Sequence, residues 1–113
     1  MLGRGDAVVN TGGENVYPAE VEAALAEHPG VADCVVFGLP DERWGQAVAA
    51  AVELRLGATV TVEELQAHVG ARLAGYKKPR HISIGTIERG ATGKVRLPAL
   101  RERADAERGP ATR

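Results

Sequence analysis

A single cysteine, Cys34, excludes an internal disulfide. It stands in the apolar run VADCVVFGL, where a free cysteine behaves as a small core residue. Excess charge of either sign is also missing. Fourteen basic residues offset 15 acidic ones, and the net charge of -1 removes any bulk drive toward nucleic acid or an anionic membrane. Aromatics are few, with one Trp, two Tyr and one Phe, so a base-stacking RNA-binding sheet ranks last among the readings. No apolar run approaches the ~20 residues that span a bilayer, and no signal peptide is evident. Cytoplasm is therefore the expected location. The 113 residues provide for one domain.

Several catalytic signatures are absent too. His28, His68 and His81 fall at no metal-ligand spacing, so they read as surface or half-buried side chains and no metal site is expected. There is no G-x-S-x-G. The phosphate-loop pattern fails at both ends of ATGKV: Glu88 stands where its first glycine belongs, and Val95 follows the lysine.

What is present reads as alternating elements. AVVN suits a short strand and NTGGEN a turn or loop. YPAEVEAALAEHPG carries a helix signature, with Pro18 at the first position and Pro29-Gly30 at the end. VADCVVFGL is a β-branched buried strand, PDERWG a turn, and QAVAAAVELRLG an alternating strand whose polar second half has one wet face. In the next helix, Thr61 and Glu64 have capping-box spacing. YKKPR is a basic turn, HISIGTI a short strand, and a closing helix starts near Pro98. The predicted fold is a small α+β domain. It has a roughly three-stranded, mainly antiparallel sheet flanked by helices, plus a short N-terminal hairpin or loop. The charged, Pro- and Gly-containing tail 105–113 is expected to fray.

Three clusters could carry chemistry, and each has a plainer alternative. Gly12-Gly13 can bring backbone close to a ligand or simply make a turn. Tyr76, Lys77, Lys78 and Arg80 can stack a base and hold phosphate, or form a solvated loop. Lys94, after a glycine, is a phosphate ligand or an ordinary exposed lysine. Trp44, the only tryptophan, either caps the core or meets a partner.

Together these stretches closely resemble the C-terminal domain of the adenylate-forming enzymes, a superfamily of acyl-CoA synthetases, peptide synthetase adenylation domains and luciferases. The residues that carry the likeness are GRGD, GGENVYPAEVE, HPGVADCVVFGLPDERWGQAV, LAGYKKPR and ATGKVRLPALR. GGENVYPAEVE with PDERWGQ is most similar to the acyl-CoA synthetase branch. The resemblance implies a hinge or linker at 1–6, the domain at 7–104, and a two-step reaction dependent on ATP, Mg2+ and coenzyme A. Mg2+ is not expected to be bound by this domain. A carboxylic acid is first adenylated, and coenzyme A then takes the acyl group. A separate N-terminal adenylating domain, the implied partner, holds most of the ATP and acid site. This domain pivots between the steps.

By the same resemblance, Lys94 is the adenylation lysine, Arg4 contacts the nucleotide ribose, and Asp6 is the hinge. Gly12 and Gly13 wall the pantetheine tunnel, with Glu14 beside them. Trp44, Tyr76, Lys78 and Arg80 meet the nucleotide end of coenzyme A. Two departures stand out: Ala7 follows the hinge aspartate where many relatives carry a charge, and ISIGTIERGATGK lacks the Leu-Pro often found before the lysine turn. The chain alone is not expected to be catalytic. The alternative is a stand-alone module that binds coenzyme A or a nucleotide without chemistry.

Overall fold

The computed structural model describes residues 8–108. Arg4 and Asp6, the expected nucleotide contact and hinge, lie outside them. The first strands, β1 (Val9–Thr11) and β2 (Glu14–Val16), form an antiparallel hairpin in which Thr11 pairs with Glu14. Its two-residue loop is Gly12-Gly13, with φ of +61° and +89°. Both values lie in the left-handed region that a type I′ turn requires, so glycine is the fitting residue at each. This is the short N-terminal hairpin offered by the sequence, with NTGGEN holding both its turn and the start of β2. The signal was there in two glycines flanked by strand-length segments.

Helix α1 (Pro18–Ala26) starts on its proline and buries Val21, Ala24 and Leu25. It leads to β3 (Val31–Asp41), which pairs antiparallel with β4 (Gly45–Leu54). Here the turn is shorter than PDERWG suggests. Pro40 and Asp41 remain in β3, and only Glu42–Trp44 reverse the chain. β3 is an edge strand, where a missing N–H is tolerated. Asp41 Oδ1 accepts from the backbone N–H of Arg43 and of Trp44, an Asx turn that fixes the tryptophan's backbone.

After β4 come α2 (Val62–Gly70), a 3-10 turn (Gly75–Lys77), β5 (His81–Ile84) and α3 (Leu97–Arg108). Thr61 Oγ1 caps α2 by accepting from Glu64 N at 3.0 Å. The five strands form one sheet, with β4 at its centre. Along its other edge β4 meets β1 at Gly45 and β5, in parallel, from Ala49 to Val52. The sheet is thus mainly antiparallel and the domain α+β, as expected.

Both sides of the β3–β4 hairpin are covered. Cys34 and Val36 with Val48, Ala50 and Val52 pack under α1 and α2, against Leu25, Leu65 and Val69. Val35, Phe37 and Leu39 with Ala49 and Ala51 pack under α3, against Leu100 and Ala104.

Two expectations need correction. Leu56 does not extend the alternation of β4; it is fully exposed, because the strand ends at Leu54 and Gly57, at φ +83°, turns the chain. The tail expected to fray from residue 105 is helical through Arg108. Its anchors are buried Ala104 and the Arg108 side chain, which reaches the Pro40 carbonyl and Asp41.

Candidate functional site

The expected site residues assemble in two places, at opposite ends of the β3–β4 hairpin. At the turn end, the glycine loop, Trp44 and Arg80 converge. The N–H of Gly12 donates to the Trp44 carbonyl at 2.8 Å. Gly12 also presses on the indole: a Cβ added there would lie 2.8 Å from Trp44 Cε3. Gly13 has no such neighbour within 4 Å and is exposed. The Arg80 guanidinium stands 4.3 Å from the indole centroid and that of Arg43 5.2 Å. Each such cation–π contact contributes about 0.5–1 kcal/mol at an exposed site. Arg43 was missed as a candidate; its adjacency to Trp44 in a tight turn was the available signal.

Local structure fixes Arg80. Its N–H donates to the Val48 carbonyl of β4, and the preceding Pro79 is fully buried. Tyr76 is exposed on the 3-10 turn. Its neighbour Lys77 is taken up by Glu20 of α1, at 2.9 and 3.1 Å, which raises the lysine's pKa. Lys78 lays its stem over Gly70 at the end of α2. Glu14 is exposed at the start of β2. The structure therefore brings Gly12, Trp44 and Arg80 into direct contact. Tyr76 and Lys78 stand on the segment leading into Arg80; Lys78 lies against α2, and Lys77 between them pairs with α1.

Lys94 lies at the other end. Its loop folds as a small reversal between Arg89 and Val95, which form an isolated antiparallel bridge. Gly90 N–H donates to the Lys94 carbonyl and Gly93 N–H to the Gly90 carbonyl, both at 2.9 Å. Gly93 takes φ +85°, the left-handed step at which the loop turns. The loop's flanks are anchored: Ile87 is buried, and Val95 and Leu97 pack with it against the α3 face. Lys94 itself is exposed. Arg89 pairs with Asp33 near the start of β3 through Nε–Oδ2 at 2.8 Å and Nη2–Oδ1 at 2.9 Å. The Arg89 hydrogen bonds hold the Asp33 carboxyl below its ordinary range, against a smaller opposing push from burial.

From Asp33 to Asp41 the strand advances about 26 Å, at about 3.3 Å per residue. Helix α3 runs the same way, from the lysine loop to the Trp44 turn, where Arg108 meets Asp41. One sheet-and-helix layer thus carries the exposed Lys94 at one end and an aromatic–guanidinium cluster at the other.

The histidines do not form a third site. His28 and His68 meet edge to face at 5.1 Å, closer than their sequence scatter suggests. His28 Nδ1 accepts from Gly30 N within the turn after α1, while its Nε2 meets Glu64 of α2 and His68 Nε2 of α2 meets the Ala24 carbonyl of α1. Among the described residues no group of three or more His, Cys, Asp or Glu could hold a metal, and no helix is long and apolar enough to cross a membrane.

The class defined so far is a small α+β domain with two spatially separate polar ends. The chain belongs to the AMP-binding enzyme C-terminal domain family, whose pattern matches residues 20–94 and ends on Lys94. It is 50% identical over 95 residues to the 3-oxocholest-4-en-26-oate–CoA ligase of Rhodococcus rhodochrous, covering 83% of this chain and 17% of that one. A fatty acyl CoA synthetase of Mycobacterium tuberculosis superposes with a TM-score of 0.79 at 40% identity, over 88% of this chain and 20% of that one. ATP-bound MatB from Rhodopseudomonas palustris superposes at 0.82 and 36% identity, over 89% of this chain and 20% of that one. The chain thus spans about a fifth of the length of these relatives.

Proposed function

We propose that this chain is the mobile C-terminal domain of an ATP-dependent acyl-CoA synthetase acting in the cytoplasm. An N-terminal adenylating domain would hold ATP and the carboxylic acid. In the first half-reaction a carboxylate oxygen attacks the α-phosphorus of ATP, forming the acyl-adenylate and releasing pyrophosphate. Lys94 supplies a compact positive charge to the carboxylate and α-phosphate oxygens as charge concentrates there. In the second, the thiol sulfur of coenzyme A attacks the acyl carbon and AMP leaves.

The observation that carries this reading is the separation of the two ends. The β3 ends that neighbour the Lys94 loop and the Trp44 cluster lie about 26 Å apart, too far for both to serve one reaction centre at once. They can serve it in turn if the domain pivots, with Asp6 as the hinge and Arg4 on the nucleotide ribose. At the far end Gly12 and Gly13 would wall the pantetheine channel beside Glu14. Trp44, Tyr76, Lys78 and Arg80 would meet the nucleotide end of coenzyme A, where guanidinium and ammonium groups suit phosphates. Mg2+ would enter with the nucleotide on the partner domain.

Lys94→Ala in the full-length enzyme tests this. Adenylate formation should fall about 100- to 1,000-fold, the scale of losing one preorganised charge donor. Thioester formation from supplied acyl-adenylate should persist. Equal loss of both half-reactions contradicts the assignment.

One observation favours a second reading, a stand-alone coenzyme A or nucleotide binder: the Gly12–Trp44–Arg80 cluster forms within this chain. Saturable change of Trp44 emission in the chain alone, at micromolar coenzyme A, would support it. No change across that range leaves it without support.

A further inference from the structure

The Lys94 loop is held by a side chain that takes no part in the proposed chemistry. Arg89 uses its whole guanidinium edge. Nε and Nη2 donate to the two oxygens of Asp33, and Nη1 donates to the Gly93 carbonyl at 2.8 Å. That carbonyl belongs to the peptide bond leading into Lys94. One planar group therefore ties the start of β3 to the residue from which the ammonium projects. A fork–fork pair with a carboxylate fixes the guanidinium in angle as well as distance.

We propose that Arg89, oriented by Asp33, is a positioning residue for Lys94: it fixes the Gly93–Lys94 peptide so that the ammonium leaves a rigid base. The proposal rests on the reading of Lys94 as the adenylation lysine. The need for such a clamp follows from the loop's composition. Gly90 and Gly93 bracket the reversal, and glycine leaves the backbone many alternatives. Without the Arg89 side chain the reversal keeps only backbone ties, the hydrogen bonds between residues 90 and 94 and the Arg89–Val95 bridge. The lysine stem is itself flexible, so the direction in which its charge can be offered is set by the peptide at its root. Misplacement of a catalytic group by about 1 Å can cost about 100-fold in rate. Arg89 holds the Asp33 carboxyl below its ordinary range, so the clamp is ionised at neutral pH. Lysine cannot replace arginine here, because a single ammonium centre does not span Asp33 and the Gly93 carbonyl in one plane.

The test uses full-length enzyme carrying Arg89→Ala, Arg89→Lys, Asp33→Asn, Lys94→Ala, or Arg89→Ala with Lys94→Ala. Adenylate formation is followed by pyrophosphate release, and thioester formation from supplied acyl-adenylate. Arg89→Ala and Asp33→Asn should lower the kcat of adenylation about 10- to 100-fold. Their KM for ATP and acid, and their thioester rate, should stay within about twofold. Arg89→Lys should recover only part of the loss. In the Lys94→Ala background, Arg89→Ala should cause no further loss, because a residue acting only through Lys94 has nothing left to position.

Equal loss in both half-reactions would make Arg89 a purely structural support and overturn the proposal. So would undiminished adenylation in Arg89→Ala, or a full further loss in the double variant. The thioester half-reaction serves as the folding control. If Lys94→Ala alone keeps adenylation, the reading of Lys94 fails first and this proposal falls with it.

Discussion

The packing of Gly12 on Trp44 can be separated from the backbone demand of the turn. Gly12 and Gly13 both hold positive φ, so alanine at either position meets left-handed strain of about 1–2 kcal/mol. Only at Gly12 does the new methyl collide, at 2.8 and 3.2 Å from ring carbons of Trp44. The indole cannot swing freely, because Asp41 holds its backbone and Arg80 lies against its ring. Overpacking of this kind adds about 1–3 kcal/mol. Gly12→Ala should therefore cost about 2–5 kcal/mol and Gly13→Ala about 1–2 kcal/mol. For a domain near 100 residues, 1 kcal/mol moves Tm by about 4–8 °C. Thermal unfolding of the purified chain should thus place Gly12→Ala at least about 4 °C below Gly13→Ala. In a Trp44→Ala background that gap should close, since the colliding ring is gone. Equal Tm losses for the two glycines, or a gap that survives removal of the indole, would refute the packing argument.

Three further outcomes are expected. Thr61→Ala removes the α2 cap and should destabilise by about 1 kcal/mol in chemical denaturation, with Thr61→Ser restoring most of it. The Arg89 partnership lowers the pKa of Asp33, so its stabilisation is complete above about pH 4 and is lost as pH falls through the folded value. Asp33→Asn should therefore cost up to about 1 kcal/mol at pH 7 and flatten the stability profile below about pH 4, measured by denaturant titration across pH. Arg80→Ala removes a guanidinium 4.3 Å from the only tryptophan, so Trp44 emission should shift in the folded state; Arg80→Lys should not restore the guanidinium–indole contact.

Much of this molecule is legible residue by residue. Pro18 and Thr61 mark helix starts that the structure uses, and the apolar residues of VADCVVFGL and QAVAAAV form the buried hairpin. Misreadings and open alternatives came where a local pattern was overridden or too short. Leu56 continues the alternation of β4 on paper, yet Gly57 turns the chain before it can be buried. The strand β2 is three residues long, too brief for periodicity to register, and only the two-glycine loop betrays it. Asp105–Arg108 look like a polar tail, but the Arg108 side chain finds acceptors on β3.

The candidate residues divide in the same way. Lys94 and Gly12-Gly13 announce themselves through short glycine motifs, and Trp44 through its rarity. The contact between Trp44 and Arg80 needs the β4 backbone to place Arg80. The Asp33–Arg89 clamp joins residues 56 positions apart, and no local spacing encodes it. Pairs of that kind become visible only once β3 and the loop before α3 lie side by side.

Under the proposed function, opposite ends of one sheet-and-helix layer act in different half-reactions. The most direct measurement is the rate of each half-reaction in full-length enzyme bearing Lys94→Ala or Arg80→Ala. A crossed pattern is expected: Lys94→Ala loses adenylation and keeps acyl transfer to coenzyme A, whereas Arg80→Ala keeps adenylation and raises the KM for coenzyme A. Both variants impairing the same step would contradict it.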